Sequence, residues 1–152
     1  MKIITKTFQE LTTTELYQIL QLRSEVFVVE QDCVYQDIDG KDEKALHVMG
    51  TKKGVIVAYT RMFRPGDYFK NPSIGRVVVA KEERKYGYGK VIMQASIDEM
   101  SKRFPKNTIE LSAQTYLLKF YNGLGFVAQG EEYLEDGIPH VRMVKKIEKP
   151  AS

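Results

Sequence analysis

An α/β fold is predicted by three observations on the chain. Strand-like and helix-like patterns follow one another in the order β-α-β-β-β-α-β-α-β-β, the alternation of an α/β protein. At the centre, the apolar run Val77-Val78-Val79-Ala80 is joined to a helical periodicity by RKYGYG, residues 84–89, so that 76–113 form a β-α-β unit. Near the end, Asp136-Gly137 separates two runs and is a strong hairpin signal. With 152 residues, 43% hydrophobic content and interspersed charges, the chain reads as a single domain over 1–152 with one substantial core.

Residues 2–8 form a weakly alternating strand. A helix follows, because Thr12 and Glu15 have capping-box spacing and Leu11 and Leu16 are placed for a hydrophobic staple. Leu16, Ile19, Leu20, Val26 and Phe27 continue it at helical spacing. Arg23 falls inside that apolar stripe. The favoured reading packs its stem and leaves its head in water; the other buries the head against carboxylates or carbonyls and positions the following loop.

That loop, EQDCVYQDIDGKDEK at 30–44, is acidic, yet a calcium loop with Gly40 at its sixth position would need acids at Tyr35 and Leu46. It is expected to be solvated or to form part of a substrate rim. Strands are predicted at Ala45–Gly50 and Val55–Phe63, turned by Lys53-Gly54, and Arg64-Pro65-Gly66-Asp67 marks a loop. Arg76–Ala80 reads as a strand buried on both faces. Met93, Ile97, Met100 and Phe104 mark a helix from Gly89 to Phe104, ended by Pro105. Ile109–Ala113 is a further strand, and Thr115–Leu124 a short helix with Leu117, Phe120, Tyr121 and Leu124 on one side. Two antiparallel strands close the order.

Composition narrows the function classes. The net charge is +3, and the Lys and Arg residues are dispersed rather than gathered into a stripe, so a nucleic-acid partner is not expected. Cys33 is the only cysteine, which excludes an intramolecular disulfide and a Cys-rich zinc site. His47 and His140 lack metal-ligand spacing, and no metal is expected. MKIITKTF lacks the apolar core of a signal peptide, and no run approaches the ~20 apolar residues of a membrane span. The expectation is a cytoplasmic protein with no membrane partner.

RKYGYG sits where a helix start offers unpaired N–H groups to an anion. A dinucleotide fingerprint would need Gly at Ile92, and a Walker loop would need Gly at Arg84 and Ser or Thr at Val91. Both fail, which leaves a plain turn or a different phosphate cradle. R-x-x-G-x-G after a buried strand resembles the acetyl-CoA signature of the GNAT acetyltransferase superfamily. FYNGLGF at 120–126 resembles that family's helix-ending Y-x-x-x-G-F motif. LRSEVFVVEQDCVYQDIDGKD at 22–42, RVVV at 76–79 and EDGIPH at 135–140 are similar to its ElaA-like branch. Gln114 departs from the Asn that many relatives carry at this distance before the helix Tyr.

The resemblance implies a three-layer α/β (α+β) architecture with a mixed, splayed central sheet flanked by helices. It implies an N-acetyltransferase that moves acetyl from acetyl-CoA to a primary amine of a small molecule or peptide, by direct attack in a ternary complex. Val77, Val78 and Val79 would serve the pantetheine arm and thioester oxygen through their backbone. Arg84, Lys85, Gly87, Tyr88, Gly89 and Lys90 would surround the pyrophosphate, with Gln114 and Phe120 also against the cofactor. Tyr121 would be the general acid to the thiolate, although its place on the apolar side also fits plain packing. The candidate bases are Glu110, Glu30 and His140, since an ammonium must lose its proton before it attacks. Arg61, Glu30, His47 and His140 would line the acceptor side. A homodimer is compatible with the resemblance, and the alternatives are a non-catalytic acyl-CoA sensor or an acyltransferase with a longer acyl donor.

Overall fold

Thr12 opens the first long helix as its spacing predicts: the Thr12 hydroxyl accepts from the Glu15 N–H at 3.0 Å, and the Glu15 carboxylate accepts from the Thr12 N–H at 2.8 Å. In the computed structural model, which describes residues 1–147, this helix is α1, Thr13–Arg23, preceded by strand β1, Lys2–Thr7. After Arg23 the backbone widens into a π-helical segment, Ser24–Glu30, where the spacing predicted one continuous α-helix. The remaining elements are β2 Leu46–Lys52, β3 Val55–Phe63, β4 Ser73–Val79, α2 Tyr88–Arg103, β5 Thr108–Gln114, α3 Leu118–Gly123, β6 Val127–Glu135 and β7 Ile138–Lys146. Their order is the predicted one.

The seven strands form one mixed sheet in the order β1-β2-β3-β4-β5-β7-β6. All neighbours are antiparallel except β4 and β5, which meet through the single pair Ser73↔Glu110. Apolar side chains fill both faces. Ile92, Met93, Ile97 and Met100 of α2 pack with Leu46, Val48, Ile109 and Leu111 on one face. Ile19 and Leu22 of α1 pack with Met49, Tyr59 and Val78 on the other. Helix, sheet and helix therefore make three layers. Beyond their one pair, β4 and β5 diverge, so Val77 and Val79 are only half-buried. This corrects the expectation that the strand is closed on both faces.

The α1 face contains a polar centre that anchors the acidic loop. Arg23 is fully buried. Its Nε donates to Asp37 Oδ2 at 2.9 Å, Nη1 to Asp42 Oδ1 at 2.7 Å, and Nη2 to the Asp37 carbonyl at 2.9 Å. Arg61 grips both Asp39 oxygens at 2.8 Å and shares Asp42 at 3.0 Å. Arg76 Nε lies 2.8 Å from Asp37 Oδ1, to which the Tyr35 hydroxyl donates. The head of Arg23 is thus paired rather than in water, and the solvated reading of loop 30–44 gives way. Asp37 and Asp42 are buried, because three arginines supply the charge and donors that make burial tolerable.

His47 belongs to this centre. Its Nε2 donates to the Asp42 carbonyl at 2.9 Å, so Nδ1 accepts from the Tyr59 hydroxyl at 2.6 Å. Burial lowers its pKa and favours the neutral ring. Fully buried and bonded at both nitrogens, His47 has no face to offer an acceptor, which corrects that expectation.

Removing the Arg23 head would strand two buried carboxylates. Arg23→Met is expected to cost about 3–5 kcal/mol of stability, read from urea unfolding. Burial opposes ionisation of Asp39, but the hydrogen bonds and charge of Arg61 outweigh it and hold the carboxyl at about 2. A carboxylate with a depressed folded value stabilises above its ordinary 3.8, and that contribution is lost as the pH falls towards 2. Melting temperature is therefore expected to drop across this acid window, and Asp39→Asn to lower the plateau and flatten the drop.

Candidate functional site

The divergence of β4 from β5 opens a groove of about 440 Å³, walled by Val77, Val78 and Val79, by Leu117 and Phe120, and by the start of α2. On its other edge β4 is laddered to β3 through Ala58↔Val79 and Tyr59↔Val78. Towards β5 its backbone past Ser73 has no paired strand. Unpaired N–H and C=O groups in a cleft require other partners.

At the groove's end, RKYGYG divides into two parts. Lys81–Tyr86 form a 3-10 turn, and α2 begins at Tyr88 with Gly87 as its cap. Gly87 has φ 72°, a conformation that favours glycine, and no side chain bonds to the helix's first amides. These N–H groups are available to an anion. Gly89 and Lys90 line the groove as expected. The side chains of Lys85 and Tyr88 turn elsewhere: Lys85 Nζ lies 5.2 Å from the Tyr86 ring, and Tyr88 packs on Tyr86 beneath Lys52. Neither lines the groove.

Arg84 donates through Nε to the Val79 carbonyl at 3.2 Å, and its two terminal nitrogens meet both oxygens of Glu30. That hydrogen-bonded pairing lowers the Glu30 pKa. Glu30 therefore sits at the groove as a partner of Arg84 rather than as a free base on the acceptor side.

A second cavity of about 130 Å³ adjoins the groove, with Gln31, Val77, Tyr116, Leu117 and Tyr121 common to both. Tyr121 stands at the junction. It is 6% exposed and packs edge-on against Phe120 and Phe126 at 5.1 and 6.2 Å, so the packing role and the site role coincide. Burial pushes its phenol well above the ordinary value, and the hydroxyl has no hydrogen-bond partner among the described residues.

The far wall of this cavity carries a polar chain. Tyr133 OH and Ser112 Oγ are 2.5 Å apart, Ser112 lies 3.4 Å from Glu135 Oε1, and Glu135 Oε2 is 3.2 Å from His140 Nε2. His140 Nδ1 donates to the Ile138 carbonyl at 2.7 Å, so Nε2 of the neutral ring is an acceptor, and one proton held between Nε2 and Glu135 makes the two a hydrogen-bonded pair. His140 is thus in the cavity as predicted. Glu110 is not: Arg142 meets its carboxylate at 3.0 and 3.1 Å and Asn71 at 3.1 Å, and it lines neither cavity. Alternation gives it the same face as Ser112 and Gln114, but it lies earlier along β5, where Arg142 of β7 and Asn71 hold it. Gln114 lines the second cavity, 3.4 Å from Gln31, instead of the groove. Sequence reasoning missed Ser112, Tyr133, Glu135 and Arg76. The signal for two of them was the hairpin: Tyr133 is the cross-strand partner of His140, and Glu135 shares its face two residues on.

A third cavity of about 70 Å³ continues from the second, sharing Arg76, Ser112 and Glu135. Arg61 lines it, with its terminal nitrogens occupied by Asp39 and Asp42. Arg76 has φ 49°, a left-handed conformation in mid-strand, at a register shift between β3 and β4. Among the described residues no group of three or more His, Cys, Asp or Glu is placed to hold a metal, and no helix is long and apolar enough to cross a membrane.

Known proteins share this frame. The Protein ElaA of Escherichia coli strain K12 is 40% identical over 140 residues, covering 91% of this chain and 92% of that one. Its crystal structure superposes with a TM-score of 0.89 at 37% identity, covering 95% and 99% of the two chains. The crystal structure of an acyl-CoA N-acyltransferase from Pseudomonas aeruginosa superposes with a TM-score of 0.90 at 39% identity, again over 95% and 99%. The sequence pattern of the acetyltransferase (GNAT) domain matches residues 8–147, and the chain belongs to the GNAT acetyltransferase family.

Proposed function

We propose that the protein is an N-acetyltransferase that takes acetyl from acetyl-CoA and attaches it to a primary amine held in the second cavity. The observation that carries this reading is the passage itself: a groove with unspent backbone groups opens into a polar cavity, with Tyr121 at the join. The groove suits a CoA thioester on two counts. The open edge of β4 offers amides to an extended pantetheine, and the uncapped start of α2 offers N–H groups to a pyrophosphate. Arg84 is positioned to trade its Glu30 partner for phosphate oxygens. Bound there, the thioester supplies an activated acyl carbon.

The chain's own groups then divide the work. An acceptor enters as an ammonium and gives a proton to the Glu135–His140 pair, which passes it to water. The freed nitrogen attacks the acyl carbon, and backbone N–H groups of Val77–Val79 stabilise the charge that develops on the carbonyl oxygen. As the C–S bond breaks, Tyr121 hydrogen-bonds to the departing sulfur and gives it a proton, regaining one from the acylated nitrogen. Burial makes Tyr121 a weaker acid than a free phenol, so it keeps its proton until charge appears on sulfur. The balance is one amide and one thiol formed, with one proton released.

Release of free CoA thiol from acetyl-CoA, measured across a panel of amines, tests the reading. Tyr121→Phe is expected to lower kcat by about 10²-fold while leaving acetyl-CoA affinity within about twofold. Unchanged turnover would remove Tyr121 from the mechanism. Tight binding of acetyl-CoA with no thiol release from any amine would point to a binding protein instead.

A further inference from the structure

We propose that the acceptor is a small amino acid, an amine that carries its own carboxylate. The inference rests on the acetyl-transfer reading and assigns the two ends of the acceptor within the joined second and third cavities.

The charged residues common to both cavities have opposite signs: Arg76 and Glu135. They are not paired with each other. Arg76 Nε lies 2.8 Å from Asp37 Oδ1 without the alignment of a hydrogen bond, Nη2 donates to the Asp37 carbonyl and lies 3.5 Å from Asp39, and Nη1 has no partner among the described residues. Glu135 bonds to His140 and, weakly, to Ser112, and its side chain remains 46% exposed.

The third cavity adds two further donors. Ser73 Oγ and Arg61 Nε are buried, 2% and 1% exposed as residues, and neither has a hydrogen-bond partner among the described residues. Buried polar atoms left unpaired are costly and rare, and a ligand is one way to satisfy them. The left-handed backbone at Arg76 is a second departure from low energy in the same place. Such strain concentrates where a side chain must be aimed at a ligand.

The charge balance selects the ligand. Arg23, Arg61 and Arg76 are matched by Asp37, Asp39 and Asp42, so the arginine side offers free donors but no excess positive charge. A simple anion entering there would face the Glu135 carboxylate, which no lysine or arginine pairs among the described residues. A simple amine would satisfy Glu135 and leave Arg76 Nη1 and Ser73 Oγ without partners. A zwitterion meets both demands, with its ammonium at Glu135 and Ser112 and its carboxylate at Arg76 and Ser73. With about 130 and 70 Å³ available, the enclosed part of the acceptor is small.

The test compares matched acceptors with the intact protein and acetyl-CoA, reading CoA thiol release. Each of a set of α- and ω-amino acids is set against its own carboxamide and its decarboxylated amine. For at least one parent, kcat/KM for the free acid is expected to exceed that of the amide and the amine by about tenfold or more. In Arg76→Lys, which lacks the second guanidinium nitrogen, the acid-to-amide ratio is expected to fall at least about fivefold. The ratio is taken within one preparation, so a partly unfolded fraction cancels and a merely structural role of Arg76 would leave it unmoved. Amides or amines used as well as the acids in every pair, or a ratio unchanged in Arg76→Lys, would overturn the proposal and leave acetyl transfer standing. No thiol release from any acceptor would overturn the transfer reading and this proposal together.

Discussion

Three arginines and three aspartates, most of them withdrawn from water, hold the loop beside the candidate site in shape. Loop 31–45 has almost no regular structure, so its backbone cannot anchor it. Arg23 from the helix and Arg61 and Arg76 from the sheet reach Asp37, Asp39 and Asp42 across it. Each charge is buried at a cost that only full pairing offsets, so the cluster forms as a unit or not at all. Tyr35 and Cys33, which line the second cavity, ride on the loop this cluster positions. Arg61 and Arg76 also line the third cavity.

The second constraint is an omission in the sheet. Six pairs of neighbouring strands adjoin in the seven-stranded order, and five are laddered at length. The pair β4–β5 touches once and parts, which leaves a strand edge inside the molecule instead of at its rim. Exposed strand edges are ordinarily hazards for a soluble protein. Here α3 and the π-helical segment flank the opening, so the edge faces a ligand-sized groove instead of solvent at large.

What could be read from the sequence was largely local. The capping box at Thr12 and the Asp136-Gly137 turn involve residues within a few positions of each other, and both stand as predicted. Periodicity placed Arg23 inside an apolar stripe, and Glu110 stood in an otherwise apolar strand. It could not show their partners, because pairing spans 14 and 19 residues for Arg23 and 32 for Glu110. His47 was misread for the same reason: a histidine in a strand carries no mark of the carbonyl and phenol that will occupy it. Glu135 was passed over because an acid beside a turn is ordinarily solvated, and only the hairpin register brings it to His140. The groove has a local mark in the glycines of RKYGYG, whereas the second cavity has none, since it is assembled from strands and loops far apart in the chain.

The π-helical segment Ser24–Glu30 bears on how the chain can vary. A π-helical turn holds one residue more than an α-helical one, and such turns arise where a residue has been accommodated without breaking the helix. Arg23 at its start is locked by the aspartates, and Glu30 at its end is held by Arg84. The distance between two fixed ends is thus spanned by a set number of residues. Substitutions that keep Val26 and Phe27 apolar are compatible with both anchors. A one-residue deletion would draw the segment back to α geometry and rotate Glu30 off the groove. Along this stretch the chain is constrained in length more strictly than in composition.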